Sequence, residues 1–340
     1  MRNSLAALLT CLFALSCSDS NSSSGGADLV VYCSLDQDLS EGILSDFEQR
    51  TGLKVETQFD VERNKTVGLV NRIIAEAKNN PRADVYWNNE IAHTLRLKNE
   101  GLTSAYRSPS AEGIPASFVD EDGHWTGFAA RARVVLYRTD RKGPVPFKLD
   151  DFLDPAYAAG GAMAQPLTGT TLTNATALSL IRGDQAMLDW FEQAQAAGLS
   201  FGSGNADVMR RTCNGDFLWC FTDTDDAAKA IAAGNPVAVR YLEQGDGDMG
   251  AMLIPNSICI LDSGKNQDAA KQFVDYVLSV EVERRLAFSV SQQIPLHEGV
   301  AMPEGVAVPG TDYKVMDVDW AAVAGAISAR AVAFQEAFVK

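Results

Sequence analysis

Six carboxylates stand where apolar strands give way to helices: Asp60, Glu62, Glu90, Asp223, Asp225 and Asp226. Carboxylates are hard oxygen donors, suited to Fe³⁺, Ca²⁺ or Mg²⁺, and they also receive an ammonium group. Hydroxyls occupy matching places: Ser34 in the run CSLDQ, and Thr168 to Thr171 in PLTGTT ahead of a helix. Hydroxyls beside free helix amides suit a phosphate, phosphonate or carbonate, with Lys65, Arg131 and Arg133 able to add charge. This is chemistry for capture. The residues expected to touch a solute are Ser34, Asp60, Glu90, Thr170, Thr171, Asp223 and Asp225, with Ser and Thr donating and Asp and Glu accepting. Glu90 and Asp223 are the pair expected on a metal.

Each assignment competes with a plainer one. Acids in a first helical turn complement the helix dipole without touching a ligand, which covers Asp225 and Asp226. Thr222 and Thr224 can simply be N-caps, and Arg133 a salt-bridge partner for the acidic excess. Glu90 resists such treatment, because it ends a strand in a loop of the right kind. His93, one helical turn beyond Asn89, fits a surface helix better than a ligand shell. Tyr32, Tyr86 and Tyr137 sit in strand-like runs and are expected in the core.

The elements that must position these residues alternate. Leu29 to Tyr32 is an apolar strand, Cys33 to Asp38 a polar loop, then comes a helix with Ile43, Leu44 and Phe47 on one face, and Leu53 to Phe59 a second strand. Such a β-loop-α-β unit places a ligand at the carboxyl end of its strand. The pattern recurs: a helix over 65–77, a strand over 83–87, one or two strands over 125–137, and a helix from about Asn174 capped by Thr171 or Thr173. A helix follows over 184–197. Later come a strand over 216–221, a helix closed by Gly234, strands over 236–241 and 249–261 (the latter broken at Pro255-Asn256), helices over 267–279 and 282–288, and a terminal helix over 318–338. Strands alternating with helices mean an α/β protein with mainly parallel sheets.

Residues 1–17 read as a signal peptide ending in a lipobox-like Ala14-Leu15-Ser16-Cys17, with Cys17 the expected lipidation site and 18–27 a flexible Ser/Gly/Asn tether. No later run is long and apolar enough to span a bilayer. The net charge of −15 becomes one unit more negative once Arg2 is cleaved away, which argues against nucleic acid. Of six cysteines, four fall in the folded part: Cys33, Cys213, Cys220 and Cys259. Cys213 and Cys220 bracket an Asn214-Gly215 turn and suit a local bridge, but four buried thiols are an equal expectation. No nucleophile elbow, zinc-helix motif, phosphate loop or dinucleotide fingerprint occurs, and three histidines leave little general-base chemistry. A binder therefore ranks above an enzyme, and an enzyme above a scaffold.

In order, VVYCSLDQ, FEQRTGLKV, DVERNKTVGLVNRIIAE, ADVYWNNEIAHTLRLKNEGL, WTGFAARARVVLYRTD, AQPLTGTT, FTDTDDA and IPNSICIL resemble the periplasmic solute-binding proteins of bacterial ABC importers, in particular the ferric-iron-binding type. The resemblance runs from about Asp28 to Phe334. It implies a type II two-lobe fold with two hinge crossings: lobe one at 28–128 plus 236–285, lobe two at 129–235 plus 286–340. It implies capture of a small solute by lobe closure, most simply ferric iron or iron with an anion. A phosphonate, phosphate ester or other small organic solute is the alternative. It further implies a permease partner, a monomeric lipid-anchored protein on the outer side of a cell membrane, and no required cofactor. Ferric binders hold iron by adjacent tyrosines on a loop that falls within FTDTDDA, where this sequence has none. Glu90 takes the place of their glutamate, and Cys33-Ser34 stands where a histidine would.

Overall fold

The computed structural model describes residues 26–60 and 67–338. The signal segment, Cys17, Glu62, Lys65 and most of the tether lie outside the described residues. The strands are β1 (Leu29–Cys33), β2 (Val55–Phe59), β3 (Val85–Asn88), β4 (Thr103–Ser104), β5 (Thr126–Arg138), β6 (Gly161–Ala164), β7 (Ser200–Gly202), β8 (Trp219–Asp223), β9 (Val237–Arg240) and β10 (Leu253–Leu261). The helices in the first half of the chain are α1 (Gln37–Thr51), α2 (Val67–Ala77), α3 (Ala92–Asn99), α4 (Pro155–Ala158) and α5 (Gly169–Arg182). They are followed by α6 (Asp184–Ala196), α7 (Asn205–Asn214), α8 (Thr224–Ala232), α9 (Gln267–Val277), α10 (Val280–Ala287) and α11 (Trp320–Phe338).

The strands follow the order β2-β1-β3-β10-β5-β8-β6-β7, with β4 on β10 and β9 on β5. The outer three of each half run parallel to one another: β1 with β2 and β3, and β6 with β7 and β8. The central strands run the other way. β10 is antiparallel to β3 and β5, and β5 is antiparallel to β8 and β9. The expected two-lobe α/β architecture is present, and the expected parallel pairing belongs to its outer strands. β5 is a single strand whose first part pairs in one half-sheet and whose last part pairs in the other. β9 pairs with the far end of β5, so strand pairing puts 237–240 with the second half-sheet, whereas the sequence boundary at 236 put them with the first. Both expected crossings are there: the chain passes over within β5 and returns between β9 and β10.

Local sequence accounts for the helices. In α1, Ile43, Leu44 and Phe47 recur at helical spacing and are buried, and Gly52 ends the helix at φ 75, where a side chain would be strained. Trp87 and Trp219 are wholly buried, one in each half, against Phe128 and Phe152 respectively. The four folded-region cysteines are free thiols, so the local Cys213–Cys220 bridge is not formed; burial pushes Cys220 and Cys259 up to about 12.

The crossing is pinned where β5 bends. Ala129 has φ 41, and the β5–β10 register shifts between Pro255 and Asn256. Asn256 donates to the Ala129 carbonyl and, at 2.7 Å, to Gln293 Oε1. Glu283, fully buried, accepts from the amides of Ala129 (2.8 Å), Leu296 (2.7 Å) and His297 (2.9 Å), and faces His297 Nδ1 at 2.6 Å. Burial works to raise its pKa, but the His297 bond and these three amides hold the carboxyl below its usual range.

Candidate functional site

Between the half-sheets lies a cleft of about 400 Å³. Three helices open into it. Thr168 to Thr171 begin α5, Ser203 to Ala206 begin α7, and Asp223 to Asp226 begin α8. None of these three N-cap residues caps its helix with its side chain, so no cap side chain takes up the first amides of α5, α7 and α8. Gly169 sits at φ 57, which turns the chain from Thr168 into α5. The Thr loop expected ahead of a helix starting near Asn174 is instead the first turn of that helix, because the left-handed glycine lets it start five residues earlier.

Asp223, Asp225 and Asp226 converge until one carboxylate oxygen from each lies within 4.8 Å of the others. Their neighbours already share some of that charge. Asp223 accepts from Arg133 Nη1 at 2.7 Å, from Thr170 Oγ1 at 2.5 Å and from Asn205 Nδ2 at 2.8 Å. Asp226 accepts from Thr222 Oγ1 at 2.6 Å. Asp225 Oδ2 lies 3.4 Å from Arg131 Nε, and its Oδ1 is buried with no hydrogen-bond partner. Burial, followed by the charges of Asp225 and Asp223, pushes Asp226 up to about 7. Asp225 is raised by burial against the pull of Arg131, with Asp223 adding to the rise. Burial and mutual repulsion thus favour the protonated forms of Asp225 and Asp226.

Arg131 ties the parts together. It is buried, donates from Nη1 to the Asn89 carbonyl in the first half, and from Nη2 to Asn256 Oδ1 at 3.0 Å. Arg133 takes the ion-pair role that the sequence favoured for it, with its guanidinium over the Phe221 ring at 4.3 Å. Across the rim, Lys229 Nζ meets Asp36 Oδ2 at 2.6 Å.

Of the seven expected contact residues, Thr170, Thr171, Asp223 and Asp225 line this cleft together. Ser34 and Asp60 do not line it. They lie next to each other at the ends of β1 and β2, with Ser34 Oγ 3.3 Å from Asp60 Oδ2 and 3.2 Å from Tyr86 OH. Glu90 is buried outside the lining, and its oxygens accept from the Ala92 amide (2.7 Å), the His93 amide (3.0 Å), Asn88 Nδ2 (2.9 Å) and Thr173 Oγ1 (2.9 Å). It holds the start of α3 and reaches α5, while Asp223 lies in the cleft with Asp225 and Asp226. His93, expected at a surface, is buried, because α3 packs against α2 and α11. Neither of its ring nitrogens has a partner, and burial lowers its pKa.

Sequence reasoning missed Asn205, Arg210, Lys229 and Asp36. α7 carries Asn205 and Arg210, and neither it nor the strand before it, β7, was recognised. β7 is three residues long, and only Val208 and Thr212 of α7 are buried. The available signal was the run SFGSGNADV, a short strand followed by glycines and a helix start.

The model for bacterial extracellular solute-binding proteins matches residues 42–310, most of the chain. The chain belongs to that family. It is 24% identical over 258 residues to iron uptake protein A2 of Synechocystis, covering 71% of this chain and 72% of the relative. Among solved structures it is similar to iron-bound HitA from Pseudomonas aeruginosa, with a TM-score of 0.78 at 22% identity over 90% of this chain and 98% of that one. It is also similar to AfuA from Actinobacillus pleuropneumoniae with fructose-6-phosphate bound, with a TM-score of 0.76 at 21% identity over 90% and 97%. At these identities the structural likeness shows the periplasmic-binding-protein fold.

Proposed function

We propose that this protein is the solute receptor of an ABC importer and that its cargo is ferric iron carried with an anion. The observation behind this reading is the convergence of Asp223, Asp225 and Asp226 beside three uncapped helix starts. The acids supply hard oxygens, and the helix amides with Arg131 and Arg210 supply a place for the anion's charge. Similarity to iron uptake protein A2 and to iron-bound HitA supports it. In this reading the chain returns its solute unchanged, works as a monomer, and is exported and held by a lipid on Cys17. Export and anchoring rest on the sequence alone.

A second reading has its own observation. No tyrosine is among the described residues lining the cleft, while Arg131, Arg210 and Lys229 are, and these with the helix starts suit a phosphate ester. The fructose-6-phosphate complex of AfuA is consistent with it. The test is elemental analysis and native mass spectrometry of residues 18–340 purified without chelator, followed by titration with ferric nitrilotriacetate. One iron per chain, bound more tightly at pH 8 than at pH 6 as Asp226 gives up its proton, is the expected result. No iron uptake, with a phosphorus-containing mass retained, would replace the first reading with the second.

A further inference from the structure

Among the side-chain contacts that join the two halves around the cleft, three differ in how easily they can part. Thr173 Oγ1 on α5 meets Glu90 Oε2 at 2.9 Å, and both residues are fully buried. Arg131, on the first-half stretch of β5, reaches Asp225 of α8 at 3.4 Å, with its guanidinium held by the Asn89 carbonyl and Asn256. Breaking either leaves a buried polar group without a partner. The third contact is the rim pair, Lys229 on α8 with Asp36 just before α1, at 2.6 Å. Its side chains are 25% and 27% exposed, so water reaches the pair and it costs less to open than the buried contacts. Both residues line the cleft, and neither takes part in the hydrogen bonds that pin the bend at Ala129, Asn256 and Glu283.

We propose that Lys229 and Asp36 form the releasable latch of the receptor, a positioning pair that sets how often the empty cleft opens and how long a bound solute stays. The inference rests on the reading of this protein as a lobe-closing receptor, but not on the identity of the solute. Lys229 also faces Asp225, whose charge acts on it in the same sense as that of Asp36. A cation seated among the aspartates would therefore repel Lys229 towards Asp36 and tighten the latch once the cargo is in place.

The experiment compares wild type, Lys229→Met and Lys229→Arg. Methionine keeps an unbranched stem and removes the charge; arginine restores it. Small-angle scattering of the solute-free proteins should give a larger radius of gyration for Lys229→Met than for the other two. Ferric iron preloaded as the nitrilotriacetate complex and chased with excess chelator should leave Lys229→Met about two- to fivefold faster, the range expected of a partly exposed ion pair. Lys229→Arg should release it at the wild-type rate. An unchanged radius in Lys229→Met, with its melting temperature retained, overturns the latch. A larger radius with no iron bound by any of the three proteins sustains the latch and overturns the iron reading instead.

Discussion

Asp226 shows how the acidic cluster turns pH into a readable property. Its folded pKa, about 7, stands above its ordinary value of 3.8. An acid raised in this direction favours the folded state while protonated, so that contribution is complete below the ordinary value and is lost as pH rises through about 7. The solute-free protein is expected to lose stability across that window, and Asp226→Asn to be the more stable of the two at pH 8 while losing its advantage at pH 4. Thermal melts of both proteins across this range check it; a constant difference would mean Asp226 is not the titrating group. Glu90 calls for the opposite test. Glu90→Ala strands two amides, Asn88 and Thr173 in the interior, each at about 1–3 kcal/mol, so the expected loss is about 3 kcal/mol or more by chemical denaturation. A folded Glu90→Ala with normal stability and tenfold weaker binding would put this carboxylate on the ligand after all.

At the scale of elements, Gly161 shows how β6 is fitted to its neighbour. A Cβ there would lie 2.1 Å from Cζ2 of Trp219, whose ring is fully buried against Phe152 at a centroid distance of 4.6 Å. Gly161→Ala must displace that ring, at a cost of about 1–3 kcal/mol, with a shift in tryptophan fluorescence as its companion signal. The same elements show what a sequence discloses. α1, α8, α9 and α11 were legible because their apolar residues recur at helical spacing, and the β10 irregularity was legible at Pro255-Asn256. α7 was not, since its buried face is two residues wide. In the site, Thr170, Thr171, Asp223 and Asp225 could be read because each opens a helix after a strand. Lys229 and Asp36 could not, because their pairing is set by the approach of two lobes and leaves no local pattern. Glu90 was legible as a loop acid, but that position cannot tell a ligand from a helix anchor.

For the whole molecule, the shared strand matters most. β5 pairs with β10 over residues 126–132 and with β8 and β9 over residues 133–138, so neither half-sheet is complete without it. Unfolding should therefore be a single cooperative event rather than two, and calorimetry should give equal calorimetric and van't Hoff enthalpies for the solute-free protein. Two resolved transitions would show that the lobes are energetically separate in spite of the strand they share.

The order of the strands also has a consequence for how the chain is made. β3 ends at Asn88, yet the strand that covers its outer edge, β10, begins only at Leu253. A chain emerging amino end first displays the edge of β3, with its apolar Val85, Tyr86 and Trp87, while the entire second lobe is still to be synthesised. Such an edge is a template for pairing with another chain, and closing it requires a contact across a very long loop. The nascent protein should therefore depend on a holding chaperone until β10 arrives, and a chain truncated just before β10 should aggregate where the full-length chain does not.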